Sequence, residues 1–263
     1  MDLKIAGKVA LIGASAGGLG LATAQRLAME GCHVALCDID ATRLTDALET
    51  IYAAAPGSKA AAYPADLTQA DDLRVLVEKV RTDLGPVSIL VTNSGGPPPG
   101  TFNDATDDKW QRAYELTFLS AVRLIRLVLP SMRDARWGRI INFTSRALKE
   151  PIANLILSNA VRLAVAGMAK TLATEVAADG ITVNNIGPGP TSTARALELA
   201  AARARKKGIA TEAELAQTAA RIPRGRLAVP EEIAAAAAFL ASDLAGHITG
   251  VSLLIDGGET RAL

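Results

Sequence analysis

The sequence predicts a single doubly wound α/β domain, a parallel seven-stranded sheet with helices on both faces. Short apolar, β-branched runs alternate with longer helical patterns along the chain, which is the signature of βαβ units and a parallel sheet. A glycine-rich turn, Gly13-Ala14-Ser15-Ala16-Gly17-Gly18-Leu19-Gly20, separates the first apolar run from the first helical segment. With 263 residues, 49% of them apolar, the chain suits one large core better than two small ones.

The strands expected in order are Val9–Ile12, His33–Cys37, Ala60–Tyr63, Ile89–Thr92, Arg139–Phe143, Thr182–Ile186 and Val251–Ile255. Each is short and rich in residues that fit a buried pleated surface. Between most of them lie amphipathic, alanine-rich segments such as Leu21–Glu30, Asp71–Leu84, Ala121–Met132 and Arg162–Ala178. Right-handed crossovers then place helices on both faces of the sheet. No internal repeat and no linker-like break divides the chain, so residues 1–263 are read as one domain. Pro97-Pro98-Pro99-Gly100 reads as a stiff loop. Residues 191–225 are polar and helical, carry Arg203, Arg205, Lys206 and Lys207, and interrupt the rhythm before the last strand. That segment suits a mobile lid or a solvated helical hairpin.

Composition narrows the classes of function. Lys and Arg number 28 against 27 Asp and Glu, for a net charge of +1, so neither nucleic acid nor an anionic membrane is expected as partner. Aromatics make up only 3%, and the core must be built from Ala, Val, Leu and Ile. No apolar stretch is long enough to span a bilayer, and the N-terminus has no signal-peptide pattern. Cys32 and Cys37 lie around one strand. A disulfide between them is conceivable, but two buried thiols in a reducing cytoplasm are the expectation.

The glycine turn lets a pyrophosphate approach the amides at a helix N-terminus, where the dipole favours negative charge. Its place between a strand and a helix strengthens the signal. Asp38 stands 20 residues beyond Gly18, at the end of the second strand. A carboxylate there accepts hydrogen bonds from the adenosine ribose and repels a 2′-phosphate. No Arg or Lys occupies position 17 or 39, so NAD(H) is favoured over NADP(H). Asp40 is the expected cap of the next helix.

These features resemble the short-chain dehydrogenase/reductase family, in particular members like 3-oxoacyl-acyl-carrier-protein reductase, over nearly the whole chain. The turn is similar to the family's Thr-Gly-x-x-x-Gly-x-Gly, with Gly18 and Gly20 in register, Gly13 in place of Thr and Ala14 in place of the first Gly. Asp66-Leu67 resembles the pair that brackets adenine, and Asn93-Ser94-Gly95-Gly96 resembles Asn-Asn-Ala-Gly after the fourth strand. Pro188-Gly189-Pro190-Thr191-Ser192-Thr193 resembles the loop that holds the nicotinamide carboxamide. Arg224-Gly225-Arg226, Pro230-Glu231-Glu232, Thr249-Gly250 and Asp256-Gly257-Gly258 match C-terminal signatures. The resemblance implies a Rossmann fold and a cofactor site drawn from Gly13, Ser15, Gly18, Leu19, Gly20, Asp38, Asp66, Leu67, Asn93, Gly95, Arg162, Pro188, Gly189, Thr191 and Thr193.

The same resemblance locates the catalytic centre. The family moves a hydride between nicotinamide and an oxygen-bearing carbon, with Tyr-x-x-x-Lys handling the proton and a serine orienting the oxygen. Ser145 is that serine; the tyrosine position, 13 residues on, is Ser158, and the lysine position is Arg162. The family's asparagine position falls at Thr117. Ser158 and Arg162 are four apart and share one helix face. Arginine can hold ribose hydroxyls and supply charge, but it cannot relay a proton by losing it. Tyr114 is a remote surrogate acid, Lys149 and Glu150 are loop charges near the pocket, and His33 and His247 are read as structural. No metal site is expected, because the two histidines are far apart and no Cys/His cluster accompanies them.

The leading expectation is an NAD(H)-dependent oxidoreductase interconverting a small alcohol and its ketone or 3-oxo compound, with Ser145, Ser158 and Arg162 as its catalytic set. The alternatives are a non-redox isomerase- or lyase-type reaction on the same scaffold, and a catalytically silent dinucleotide-binding protein. The resemblance also implies a homotetramer, with a homodimer next.

Overall fold

The computed structural model describes residues 1–262. Seven strands, β1 (Val9–Ile12), β2 (His33–Asp38), β3 (Ala60–Pro64), β4 (Val87–Thr92), β5 (Gly138–Phe143), β6 (Ile181–Pro188) and β7 (Ser252–Ile255), form one sheet in the order β3-β2-β1-β4-β5-β6-β7. Every adjacent pair is parallel. The chain winds outward from β1 to β3, then returns to β4 beside β1 and winds the other way. That reversal opens a crevice at the C-terminal ends of β1 and β4, where an open α/β sheet binds its ligand.

Helices α1 (Gly18–Met29), α2 (Ala41–Ala54) and α9 (Pro230–Ala241) cover one face. Helices α3 (Ala70–Asp83), α5 (Ser120–Asp134) and α6 (Ile156–Val176) cover the other. Residues of one strand serve the two cores alternately: Ala10 and Ile12 join the first, Val9 and Leu11 the second. All four residues of β1 are buried. A strand covered on both sides is apolar throughout, which is why its bounds are plain in the sequence.

Scarce aromatics are offset by close helix contact. Ala24 and Ala28 of α1 and Ala237, Ala238 and Ala241 of α9 are buried in one cluster, and small side chains bring helix backbones near. The preceding helical stretch is α4 (Asp107–Ala113), continued into α5 by a π-helical segment at Tyr114–Leu119. Residues 191–225 hold a helical hairpin, α7 (Ala194–Lys207) and α8 (Thr211–Arg221). Glu214, only 1% exposed, joins the two through Lys207 Nζ at 2.6 Å and Arg203 Nη1 at 3.8 Å.

Cys32 and Cys37 are free thiols on opposite faces of the sheet, one in each core. Burial raises both to about 12, so neither is a ready nucleophile at neutral pH. No helix among the described residues is long and apolar enough to cross a membrane.

Candidate active site

The crevice is built by close backbone approach. Gly13 follows β1 and donates its N–H to the Val91 carbonyl at 3.1 Å. A Cβ at Gly13 would collide with the carbonyl oxygen of Asn93, so the absence of a side chain lets β1 and β4 meet here. Asn93 then returns a bond, its Nδ2 donating to the Ala14 carbonyl at 3.1 Å. Ala14 has φ 44°, a left-handed conformation normally left to glycine. A Cβ at Gly20 would strike the Ala14 carbonyl, which explains that glycine by the tight entry into α1.

The residues at the head of α1 fit a dinucleotide's phosphates. No side chain caps α1, and its first turn carries no acidic residue, so the terminal amides stay available to an anion. Gly18 takes φ +55°, and a Cβ there would lie 3.6 Å from Thr193 Cγ2 across the crevice. Thr193 caps α7, its Oγ1 accepting the Ala196 N–H at 3.2 Å. The glycine turn and the start of the helical hairpin thus face one another.

Asp38 ends β2 beside this turn. Its Oδ2 accepts the Ala16 N–H at 3.2 Å and its Oδ1 accepts the Asp40 N–H at 3.3 Å. Asp40 caps α2 as expected, accepting the Arg43 N–H at 3.1 Å. That first turn of α2 carries the Arg43 side chain back over the glycine turn: a Cβ at Gly17 would sit 2.6 Å from Arg43 Nη2. Sequence reasoning missed this cation, because it looked for a base at positions 17 and 39.

Other cofactor expectations fare differently. Ser15 is fully buried and acts as a pin between β1 and β2. Its N–H donates to the Cys37 carbonyl at 2.9 Å, its Oγ donates to the Ile12 carbonyl at 2.9 Å, and that Oγ accepts the Cys37 N–H at 2.9 Å. Ser15, expected among the cofactor residues, has its polar groups engaged by the scaffold. Leu67 is buried in the second core, and Leu19 packs on the first. Asp66 Oδ1 accepts both the N–H and the hydroxyl of Thr68 at 2.8 Å. Gly189 approaches Asp256 closely, a Cβ there falling 2.7 Å from Asp256 Cα; the preceding Pro188 closes β6, and Thr191 Oγ1 donates to the Gly189 carbonyl at 3.0 Å.

The structure brings Ser158 and Arg162 together with the ends of β4 and β5. Arg162 Nη1 donates to the Phe143 carbonyl at 2.8 Å, Nη2 to the Gly95 carbonyl at 2.6 Å, and Nε to Ser158 Oγ at 3.1 Å. Arginine's planar fork allows all three at once. No carboxylate lies within ion-pair distance of this guanidinium among the described residues; its partners are two carbonyls and a hydroxyl. Burial pushes it down to about 10, still charged at neutral pH. Ser145 stands two residues beyond Phe143 in extended backbone, its Oγ accepting the Ala147 N–H at 3.1 Å.

The remaining candidates are less engaged with this centre. Thr117 is buried in the π-helical segment with an unpartnered hydroxyl. Tyr114, 40% exposed, stacks on Phe118 with centroids 5.3 Å apart. Glu150 accepts the Arg261 N–H at 3.3 Å, and Arg146 pairs with Glu259 at 2.9 Å, so the C-terminal tail is tied to the loop after Ser145. A cavity of about 460 Å³ beside Met29, His33 and Lys59 opens at the other end of the strands and takes no part in this site.

A doubly wound sheet with an uncapped helix at its topological switch point fits a dinucleotide-binding class, and comparison with known proteins supplies the family. The family model described as enoyl-(acyl carrier protein) reductase matches residues 13–260. The chain is 32% identical to 2,3-dihydro-2,3-dihydroxybenzoate dehydrogenase of Bacillus subtilis (strain 168), covering 97% of each. It is 32% identical to a 3-oxoacyl-[acyl-carrier-protein] reductase of Haemophilus influenzae, over 96% of this chain and 98% of that one. L-sorbose reductase from Gluconobacter frateurii, solved with NADPH and L-sorbose, superposes with a TM-score of 0.95 at 35% identity over 100% of both chains. The chain belongs to the short-chain dehydrogenase/reductase family, and it is an oxidoreductase acting on CH–OH groups.

Proposed function

We propose that this protein is an NAD(H)-preferring reductase or dehydrogenase of small alcohols and ketones or 3-oxo compounds, working without the family's usual tyrosine. The observation that carries the reading is the Arg162 fork, which holds Gly95, Phe143 and Ser158 around one charged centre. The cofactor, when bound, supplies or accepts the hydride. The chain's own residues manage the substrate oxygen.

Ser158 Oγ accepts a hydrogen bond from Arg162 Nε, so its own O–H proton is left to donate to a substrate oxygen. Ser145 is the second hydroxyl for that oxygen, and the guanidinium stabilises negative charge developing there. A serine is a weak acid, so the arrangement suits substrates whose product oxygen is stabilised as an enolate or beside a carboxylate. The lack of a carboxylate partner for Arg162 supports that class, because a half-buried cation gains from an anionic ligand.

Asp38 supports the preference for NAD(H): its carboxylate sits beside the turn, in position to accept from the adenosine ribose. The relatives solved with NADPH include L-sorbose reductase and an actinorhodin polyketide ketoreductase. The hairpin of residues 191–225 acts as the lid. Free buried thiols support a reducing cytoplasmic setting. Exposed Leu163 on α6 and Leu253 on β7 support assembly as a homotetramer through those two faces.

The test is turnover of purified protein with NADH and a panel of ketones, 3-oxo acids and 3-oxo esters. Oxidation of NADH matched by alcohol formation is expected. Binding of NADH with no turnover across the panel overturns the redox reading. Product formed without net NADH consumption would point to the isomerase- or lyase-type alternative.

A further inference from the structure

The C-terminal segment folds back onto the loop that carries Ser145. Beyond β7, Asp256 builds a tight turn: its Oδ1 accepts the Gly258 N–H at 3.0 Å and its Oδ2 the Thr260 N–H at 2.9 Å. That turn aims Glu259 at Arg146, whose Nη2 donates to Oε1 at 3.1 Å and whose Nε lies 2.9 Å from Oε2. The two side chains are 14% and 9% exposed, a two-point pair largely withdrawn from water. Arg146 opens the short turn Arg146–Leu148 that Ser145 caps. Ser145 Oγ accepts the Ala147 N–H at 3.1 Å, and the Ser145 carbonyl accepts the Leu148 N–H at 3.1 Å. A Cβ at Gly187 would stand 3.0 Å from that same carbonyl oxygen, so β6 packs directly against Ser145. The serine is thus held between a strand and a turn, and the turn is anchored by the tail.

We infer that Glu259 is a positioning residue: acting through Arg146, it fixes the Ser145 hydroxyl against the substrate oxygen, so that the C-terminal tail completes the active site. This rests on the reading of Ser145 as a hydroxyl for that oxygen. A buried ion pair contributes little net stability, because desolvation offsets the attraction, but a planar guanidinium–carboxylate fork fixes direction. Glu150 adds a second tie by accepting the Arg261 N–H at 3.3 Å. The head of α1 fits the dinucleotide's phosphates, away from this pair, so a displaced Ser145 lowers kcat and leaves NADH affinity unchanged.

The experiment uses the full chain, NADH, the ketone or 3-oxo acid it turns over fastest, and two variants. Glu259→Gln leaves the Arg146 charge unpaired. Arg146→Met combined with Glu259→Leu removes both charges, an exchange that is neutral or stabilising for many buried pairs. Rates are read at a temperature where circular dichroism shows each variant fully folded. For both variants kcat is expected to fall about tenfold or more, with the Kd for NADH within about threefold of wild type. Amide hydrogen exchange at Ala147 and Leu148 is expected to quicken about tenfold, with exchange in β1 unchanged. A double variant that regains wild-type kcat overturns the inference, since the pair then serves stability alone. Unchanged kcat in Glu259→Gln, or joint loss of kcat and NADH binding, also overturns it. A wild type that binds NADH but turns over no ketone overturns the redox reading, and exchange then decides alone. Unchanged exchange at Ala147 and Leu148 overturns the inference; faster exchange upholds the tie between the tail and Ser145.

Discussion

Arg162→Lys keeps the charge at this position and removes the fork, and the structure says it should do harm. The guanidinium makes three hydrogen bonds, to the Phe143 carbonyl at 2.8 Å, the Gly95 carbonyl at 2.6 Å and Ser158 Oγ at 3.1 Å. A lysine ammonium at the end of a flexible stem cannot meet three acceptors held in one plane. It keeps one, and two are lost. Hydrogen bonds to a charged group contribute about 1.5–3 kcal/mol each. Gly95 is exposed and its carbonyl recovers water, whereas Phe143 is buried and its carbonyl does not. The net loss is then dominated by one bond and comes to about 2 kcal/mol, or a fall in Tm of about 4–8 °C for a chain near this size. Activity should fall further, by about 10- to 100-fold in kcat/KM, since a tenfold change corresponds to about 1.4 kcal/mol of transition-state stabilisation. Urea denaturation and steady-state kinetics read both effects. A variant within about 0.5 kcal/mol of wild type and within twofold in kcat/KM refutes the view that the fork organises the site.

Three further outcomes follow from the same geometry. Gly13→Ala forces the Asn93 carbonyl away from β1, so chemical denaturation should show a loss of about 1–3 kcal/mol, typical of overpacking, with weaker NADH binding; unchanged stability would refute the close approach. The rate should hold level from pH 6 to 9, because Arg162, though lowered by burial, keeps its charge across that range; a falling limb near neutral pH would assign the proton to another group. Glu214→Gln removes the charge that joins α7 to α8 through Lys207, and limited proteolysis should cut within Ala194–Arg221 several-fold faster, with no acceleration counting against a hinged lid.

Much of the fold was legible because buried parallel strands write themselves as apolar runs. β1 matched its expected bounds, and the others shifted by one or two residues at their ends. The start of α6 showed only in part. The apolar pattern ran from Arg162 and the Ser158–Arg162 spacing put one more turn on the helix, which begins at Ile156; Ser158 and Asn159 are poor helix formers. What fixes that turn is tertiary: Asn159 binds the Ile152 backbone through both ends of its amide, at 2.9 and 3.3 Å. Helix α9 has five consecutive alanines and so carries no helical period to detect. Arg43 was invisible for another reason. Its place over Gly17 depends on α2 docking beside α1, and no spacing rule reports a side chain lent by a neighbouring element.

Two local pairs each act as a unit. At the turn, Gly13 gives the close approach to Asn93, and Ala14 takes the strained φ of 44°. On α6, Ser158 is the acceptor and Arg162 the fork, and Arg162 Nε polarises the Ser158 hydroxyl. Ser158 and Arg162 therefore behave as one unit. A double-mutant cycle between them should give a coupling of about 1 kcal/mol, set by the 3.1 Å hydrogen bond that joins them, and additive effects would separate what the geometry has joined.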